Sequence, residues 1–210
     1  VYHQPEAPEI NTMSIITLTQ FKGGVGKTTA AICLASLLGE QKETLLIDSD
    51  PNRSATQWAR KGKLPFVVCT DTEAPKVLNK TKFGHIVIDT PARPAADEIK
   101  SLADGCDLII LPTSPEPLSL GALAQIANAL PKGANYRVLL TMVPPAPQKD
   151  GLEALAALER YELPTFKRVI RRYKAYVKAS DQGLPINKIS GGGIAWSDWK
   201  SLWEELKDVI

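Results

Sequence analysis

Short apolar runs recur along the chain, separated by stretches in which apolar residues return every three or four positions. The runs Ser14–Gln20, Thr44–Ile47, Phe66–Cys69, Ile86–Ile88, Leu108–Leu111 and Val138–Leu140 are rich in Ile, Leu, Val and Thr. They are continuous rather than alternating, which predicts strands covered on both faces. Between them, Lys27–Leu38, Ser54–Lys61, Ala95–Ala103, Leu118–Leu130 and Gly151–Tyr161 predict helices, the first closed by Gly39. This alternation predicts an α/β fold of three layers: a mostly parallel twisted sheet with helices on both faces. Pro144-Pro145-Ala146-Pro147 follows a strand and reads as a stiff loop on the side where such folds bind ligands.

The ends differ from this rhythm. Residues 1–12 are polar, hold two prolines and show no periodicity, so they are expected to be a disordered leader or an expression remnant. Residues 13–210 are expected to form a single domain. At the far end Trp196, Trp199, Trp203, Leu206 and Ile210 share one helical face, which predicts a last helix packed on the body. Its acidic residues (Asp198, Glu204, Glu205, Asp208) outnumber Lys200 and Lys207, whereas helices that lie on membranes are usually basic.

Composition adds little until charge is mapped. Of 210 residues, 44% are hydrophobic and 23% charged, ordinary for a globular chain able to bury a core. No apolar run reaches the roughly 18 residues that span a bilayer. Cys33, Cys69 and Cys106 are widely spaced, form no CxxC pair and read as reduced thiols filling the core. The net charge is +2, yet residues 160–188 hold eight basic side chains against two acidic ones. A basic tract on a mildly acidic body points to a polyanionic partner.

The most specific chemistry lies in Lys22-Gly23-Gly24-Val25-Gly26-Lys27-Thr28-Thr29, between the first strand and the first helix. Glycines let backbone N–H groups curl around a phosphate, and the helix N-terminus adds its partial positive charge. Lys27 is suited to the β- and γ-phosphates and the Thr28 hydroxyl to Mg²⁺. Two later strands end in carboxylates: Asp48-Ser49-Asp50-Pro51 and Asp89-Thr90-Pro91. Parallel strands would bring these ends together beside the loop.

Phe21 replaces the usual first glycine and a second lysine, Lys22, follows it. This deviant Walker A box resembles that of the ParA/MinD family of P-loop ATPases. The resemblance covers nearly the whole chain from Met13. It implies ATP and Mg²⁺ as cofactors, with Gly23 through Thr29 binding the nucleotide. It implies that Lys22 crosses a dimer interface to the partner's phosphates, so that ATP binding makes a homodimer. It further implies that Asp48 positions the attacking water, that Asp50 lies near the metal and the loop lysine, and that Asp89 holds Mg²⁺, Asp50 and Asp89 through water. Hydrolysis is expected to be slow until a partner stimulates it.

Finer features resemble the small plasmid-partition proteins of that family. Asn52-Arg53-Ser54-Ala55-Thr56-Gln57-Trp58 is similar to their DPQ-x-S-x-x-x-W run, with Asn52 for the commoner Gln. Leu111 to Leu118 is similar to their V-x-P-x-x-P loop, and Val169 to Ala179 to their basic R-x-x-Y-x-x-A region. The resemblance implies binding to nonspecific double-stranded DNA, a ParB-like adaptor, a cytoplasmic nucleoid-associated location and a plasmid as cargo. Carboxysomes or chemosensory clusters are the alternative cargo. In the twelve polar residues before Met13 the helix-turn-helix domain that larger relatives carry is not expected, nor is specific operator binding. Lys167, Arg168, Arg171, Arg172, Lys174 and Lys178 are the expected DNA contacts. Lys167, Arg171, Lys174 and Lys178 fall at i, i+4, i+7 and i+11, the spacing of one helical stripe.

Other classes fit less well. A MinD-like membrane switch calls for a basic amphipathic C-terminus, and stable membrane association is not expected. An iron–sulfur carrier calls for paired cysteines. A metabolic ligase or kinase does not call for Lys22, and a non-hydrolysing module does not call for Asp48.

Overall fold

The computed structural model describes residues 13–210; the expected leader lies outside them. Six strands form one sheet: β1 (Ser14–Gln20), β2 (Thr44–Asp48), β3 (Val67–Thr70), β4 (His85–Ala92), β5 (Leu108–Thr113) and β6 (Tyr136–Leu140). Their order across the sheet is β3-β2-β4-β1-β5-β6, and every pair is parallel. The helices are α1 (Lys27–Leu38), α2 (Ser54–Lys61), α3 (Ala74–Leu78), α4 (Ala96–Asp104), α5 (Pro117–Ala129), α6 (Asp150–Arg160), α7 (Lys174–Gln182) and α8 (Gly193–Leu206). The three-layer α/β fold expected from the pattern is therefore present. Five-residue α3 has no counterpart in the sequence pattern; its segment, with Pro75 and Lys76 beside a few apolar residues, carries no helical period.

Strand residues alternate between two cores, as the two-residue period of a strand requires. Leu46, Leu108, Ile110 and Leu139 face one layer with α1, α7 and α8. Ile109, Leu111, Val138 and Leu140 face α4, α5 and α6, while Leu45 and Ile47 face a smaller cluster with Phe83. Helix α1 is apolar nearly all round because it is covered twice, by the sheet and by α8. Trp196 and Trp199 of α8 are buried in the same core, and the Trp199 Nε1 donates to the Tyr176 hydroxyl at 3.0 Å. The last helix thus packs on the body, as the helical spacing of its tryptophans predicts. Among the described residues no helix is long and apolar enough to cross a membrane.

The basic tract departs from expectation. It is not one helix. Residues 164–172 run beside β6 as a broken edge strand: Phe166 N donates to Val138 O at 3.0 Å, Ile170 N to Leu140 O at 2.8 Å and Arg172 N to Val143 O at 2.8 Å. Helix α7 begins only at Lys174. The spacing of Lys167, Arg171, Lys174 and Lys178 is therefore not a shared face; only Lys174 and Lys178 stand one turn apart on a helix. Phe166 and Ile170 are buried and hold the segment down, while Lys167, Arg168 and Arg172 point outward. Charges along an exposed sheet edge also discourage pairing with other chains.

Candidate nucleotide site

The central strand β1 delivers its C-terminal end into the loop 21–26, and α1 starts at Lys27. Gly24 and Gly26 have φ of 78° and 81°, the left-handed region that residues with a Cβ avoid. Gly26 in this conformation turns the chain into α1 and leaves the first helical N–H groups aimed outward. The Thr141 hydroxyl, at the end of β6, donates to Val25 O at 2.7 Å and fixes the loop from the other side.

This loop floors one end of a cleft of about 1050 Å³. Gly23, Gly24, Gly26, Lys27, Thr28 and Thr29 line that end, joined by Asp50 and Pro51 from the β2 end. The same cleft is lined by Met142, which lies against Gly26, and by Ile170 to Tyr173 from the segment beside β6, with Tyr176 and Trp199. The proline-rich loop after β6 contributes Met142 to this wall. Nothing in the sequence marks Ile170–Tyr173 as wall, because their position depends on pairing with β6.

The strand-end carboxylates do meet beside the loop. Asp48 and Asp89 are register partners on β2 and β4, and Leu18 of β1 is the partner of Asp89 on its other side. Lys27 Nζ lies 4.0 Å from Asp50 Oδ2, both largely buried. Asp89 is fully buried, and neither carboxylate oxygen has a protein partner at normal hydrogen-bond geometry. Burial pushes its pKa up to about 6, while the nearby Thr28 hydroxyl and Lys27 ammonium pull it back. A carboxylate kept beside a cation and a hydroxyl, with both oxygens unspent, suits a hydrated Mg²⁺. Among the described residues no cluster of three or more His, Cys, Asp or Glu side chains could cage a metal by itself.

Asp48 and Asp50 differ in their surroundings. The resemblance gives Asp48 the water-positioning role; one of its carboxylate oxygens is held by α2 and the other, Oδ1, has no protein partner. Its Oδ2 accepts from Thr56 N at 2.8 Å and from the Thr56 hydroxyl at 2.7 Å, and the side chain does not line the cleft. The reason is local: Arg53 adopts φ of 51° and its guanidinium donates to Asp48 O, which folds α2 back over the end of β2. Asp50, two residues on, is left facing the cleft.

Lys22 lies outside the cleft in its own chain. Its Nζ donates to the Ser119 hydroxyl at 2.7 Å and sits 3.4 Å from Glu116 Oε2, both at the start of α5. Glu116 is held below the usual carboxylate range, first by the Ser114 hydroxyl and then by Lys22. The sequence points only to the general loop 111–118 here; Ser114, Glu116 and Ser119 carry no motif of their own.

Of the expected DNA contacts, Lys167, Arg168, Arg172, Lys174 and Lys178 are exposed. Arg171 is not free. Its guanidinium and its backbone N–H both donate to the buried carboxylate of Asp198. Arg168 and Lys167 donate their backbone N–H groups to Glu205 at 2.9 and 2.7 Å, which leaves the Lys167 side chain outward.

Residues 16–186 match the family described as the CobQ/CobB/MinD/ParA nucleotide binding domain. The chain is 34% identical over 209 residues to a "Maintenance of carboxysome distribution protein A" from Gloeobacter kilaueensis, covering 95% of this chain and 96% of that one. It is 28% identical over 148 residues to a "Protein ParA" from Rhizobium radiobacter, covering 64% and 67%. Among solved structures, an ATP complex of Cyanothece McdA superposes with a TM-score of 0.71 at 18% identity, over 93% of this chain and 96% of that one.

Proposed function

This chain belongs to the CobQ/CobB/MinD/ParA family of nucleotide-binding ATPases, and from that premise we propose that it is an ATP-dependent dimerising switch that positions a cargo. The observation that carries the reading is the pairing of two lysines with different surroundings. Lys27 is buried at the phosphate end of the cleft beside Asp50, whereas Lys22 is half-buried against the start of α5. A cation stored outside the site has a use when a second copy offers it phosphates to neutralise, in the manner of an arginine finger.

Gly23 to Thr29 bind the triphosphate through backbone N–H groups, with Lys27 on its β- and γ-phosphates. Thr28 holds Mg²⁺ directly, and Asp89 and Asp50 hold it through water. Held there, Mg²⁺ would supply positive charge to offset the charge that develops on the phosphates. Asp50 is the carboxylate that faces the cleft, so the role of orienting the attacking water falls to it, and Asp48 serves as scaffold for α2. Positioning and electrostatics do nearly all the work in this chemistry, so turnover is slow until Lys22 arrives and an adaptor protein stabilises the closed dimer.

Similarity over nearly the full length to a carboxysome distribution protein supports a protein-bounded cargo over the plasmid that motif resemblance alone suggests. The track is nonspecific double-stranded DNA, gripped by Lys167, Arg168, Arg172, Lys174 and Lys178. Arg172 and Lys178 stand at the rim of the nucleotide cleft, which supports nucleotide control of the grip.

The experiment is anisotropy of a random-sequence duplex with ATP, ADP or neither, alongside light scattering for dimer mass. Dimer formation and DNA binding with ATP alone are expected. Equal DNA binding in all three states would overturn the reading.

A further inference from the structure

The edge segment 164–172 carries only an interrupted ladder to β6, so its own pairing holds it weakly. Besides the buried side chains of Phe166 and Ile170, it is held by carboxylates of α8. Asp198, only 6% exposed, accepts from Arg171 N at 3.1 Å, from Arg171 Nε at 3.2 Å and from Arg171 Nη2 at 2.5 Å. The guanidinium in turn lies over the Tyr173 ring, 5.6 Å from its centre. One carboxylate therefore fixes both the main chain and the side chain of Arg171 with charge-assisted bonds. Ile170, Arg171, Arg172 and Tyr173 line the same cleft as the phosphate loop without belonging to that loop. A nucleotide with its phosphates on Gly23–Thr29 has its ribose and base directed along that cleft.

We propose that Asp198 is a positioning residue of the nucleotide site, setting through Arg171 the wall against which ribose and base rest. The proposal rests on the ATP reading above. Glu205 provides an internal comparison: it clamps the same segment at Lys167 and Arg168, which do not line the cleft. Removal of either clamp loosens the segment, but only Asp198 holds the part that faces a nucleoside.

Calorimetry with Mg-ATP, Mg-ADP and Mg-tripolyphosphate tests this on the full chain, its Asp198→Asn variant and its Glu205→Gln variant. Asp198→Asn is expected to weaken ATP and ADP at least tenfold and tripolyphosphate less than twofold, because tripolyphosphate uses the loop end alone. Glu205→Gln is expected to leave all three within twofold. Unchanged nucleotide affinity in Asp198→Asn, equal loss for all three ligands, or the same selective loss in Glu205→Gln would each overturn the proposal. If Asp198→Asn does not fold, Arg171→Lys carries the test, since it keeps the charge but cannot span both carboxylate oxygens in the same way. Failure of the unsubstituted chain to bind nucleotide would overturn the ATP reading itself, and is seen before any variant is compared.

Discussion

Lys22 Nζ meets the Ser119 hydroxyl at 2.7 Å, within a single chain and 97 residues apart in sequence. The lysine that the dimer reading sends across to a partner is thus held at home, with Glu116 beside it. Such half-exposed contacts are worth roughly 0.2–1 kcal/mol each, weak enough to break when a triphosphate is on offer. Lys22→Ala is expected to leave ATP affinity within about threefold, since the phosphate loop is intact. Turnover should fall by about a hundredfold, the usual cost of losing one donor to a transition-state charge. Phosphate release under saturating ATP checks it, and unchanged turnover would sink the role given to Lys22.

The two carboxylates of the β2 end should separate cleanly. Asp50→Ala removes the group that faces the cleft and is expected to abolish hydrolysis while an ATP-loaded dimer persists. Asp48→Ala leaves the Thr56 N–H without its acceptor at 2.8 Å. It should cost about 1–3 kcal/mol of stability and lower the melting temperature, while ATP affinity changes little. Thermal unfolding and single-turnover hydrolysis on both variants give the answer; the reverse pattern would return the water-orienting role to Asp48.

Asp89 makes the metal-free protein sensitive to pH. Its folded pKa, about 6, lies above the ordinary carboxylate value of 3.8. Between these values the folded state holds more proton than the unfolded chain, so stability falls as pH rises through that window. The loss is complete above about pH 6 and is at most about 3 kcal/mol. Asp89→Asn is expected to melt at higher temperature than the parent at pH 8 without metal, and to lose Mg²⁺-dependent hydrolysis. Melting curves from pH 4 to 8 in chelator test this; a parent whose stability rises across that range contradicts it.

Arg171 is a poor probe of DNA binding, because Arg171→Glu would face Asp198 with a second carboxylate and disturb the fold. Lys174 and Lys178, on successive turns of α7 and both exposed, are the better pair. Changing both to Glu should leave melting temperature and ATP turnover unchanged. It should weaken binding to random duplex and make the salt slope shallower by about 1 for each phosphate that is no longer neutralised. DNA binding at the parent's strength and slope would assign the grip to Lys167, Arg168 and Arg172 instead.

The phosphate loop is legible from sequence because its causes are local. Glycines at 24 and 26 permit a left-handed backbone, Lys27 and Thr28 follow at a fixed offset, and an apolar strand and helix flank them within 25 residues. The strands are legible for the same reason: runs such as Leu45-Leu46-Ile47 are covered on both sides whatever their order in the sheet. Asp48 and Asp50 are legible as a pair at a strand end, but not in their different surroundings, which depend on Thr56 and on the backbone at Arg53.

The basic tract shows where local pattern stops deciding. Cations at i, i+4, i+7 and i+11 satisfy a helix, yet residues 164–172 also offer β6 an edge partner with Phe166 and Ile170 facing inward. Sequence by itself determined that this stretch is basic, partly apolar and close to the C-terminal helix. Only tertiary structure decided that it runs extended along the edge of β6 rather than as a helix. The deciding partners are the open edge of β6, nearly thirty residues upstream, and Asp198 and Glu205, 27 to 38 residues downstream. A main-chain hydrogen bond to a distant strand and a carboxylate on a distant helix leave no periodic mark on the residues they capture. The composition of a segment states what it can pair with, and the rest of the molecule selects the pairing that leaves the fewest buried polar groups unmet.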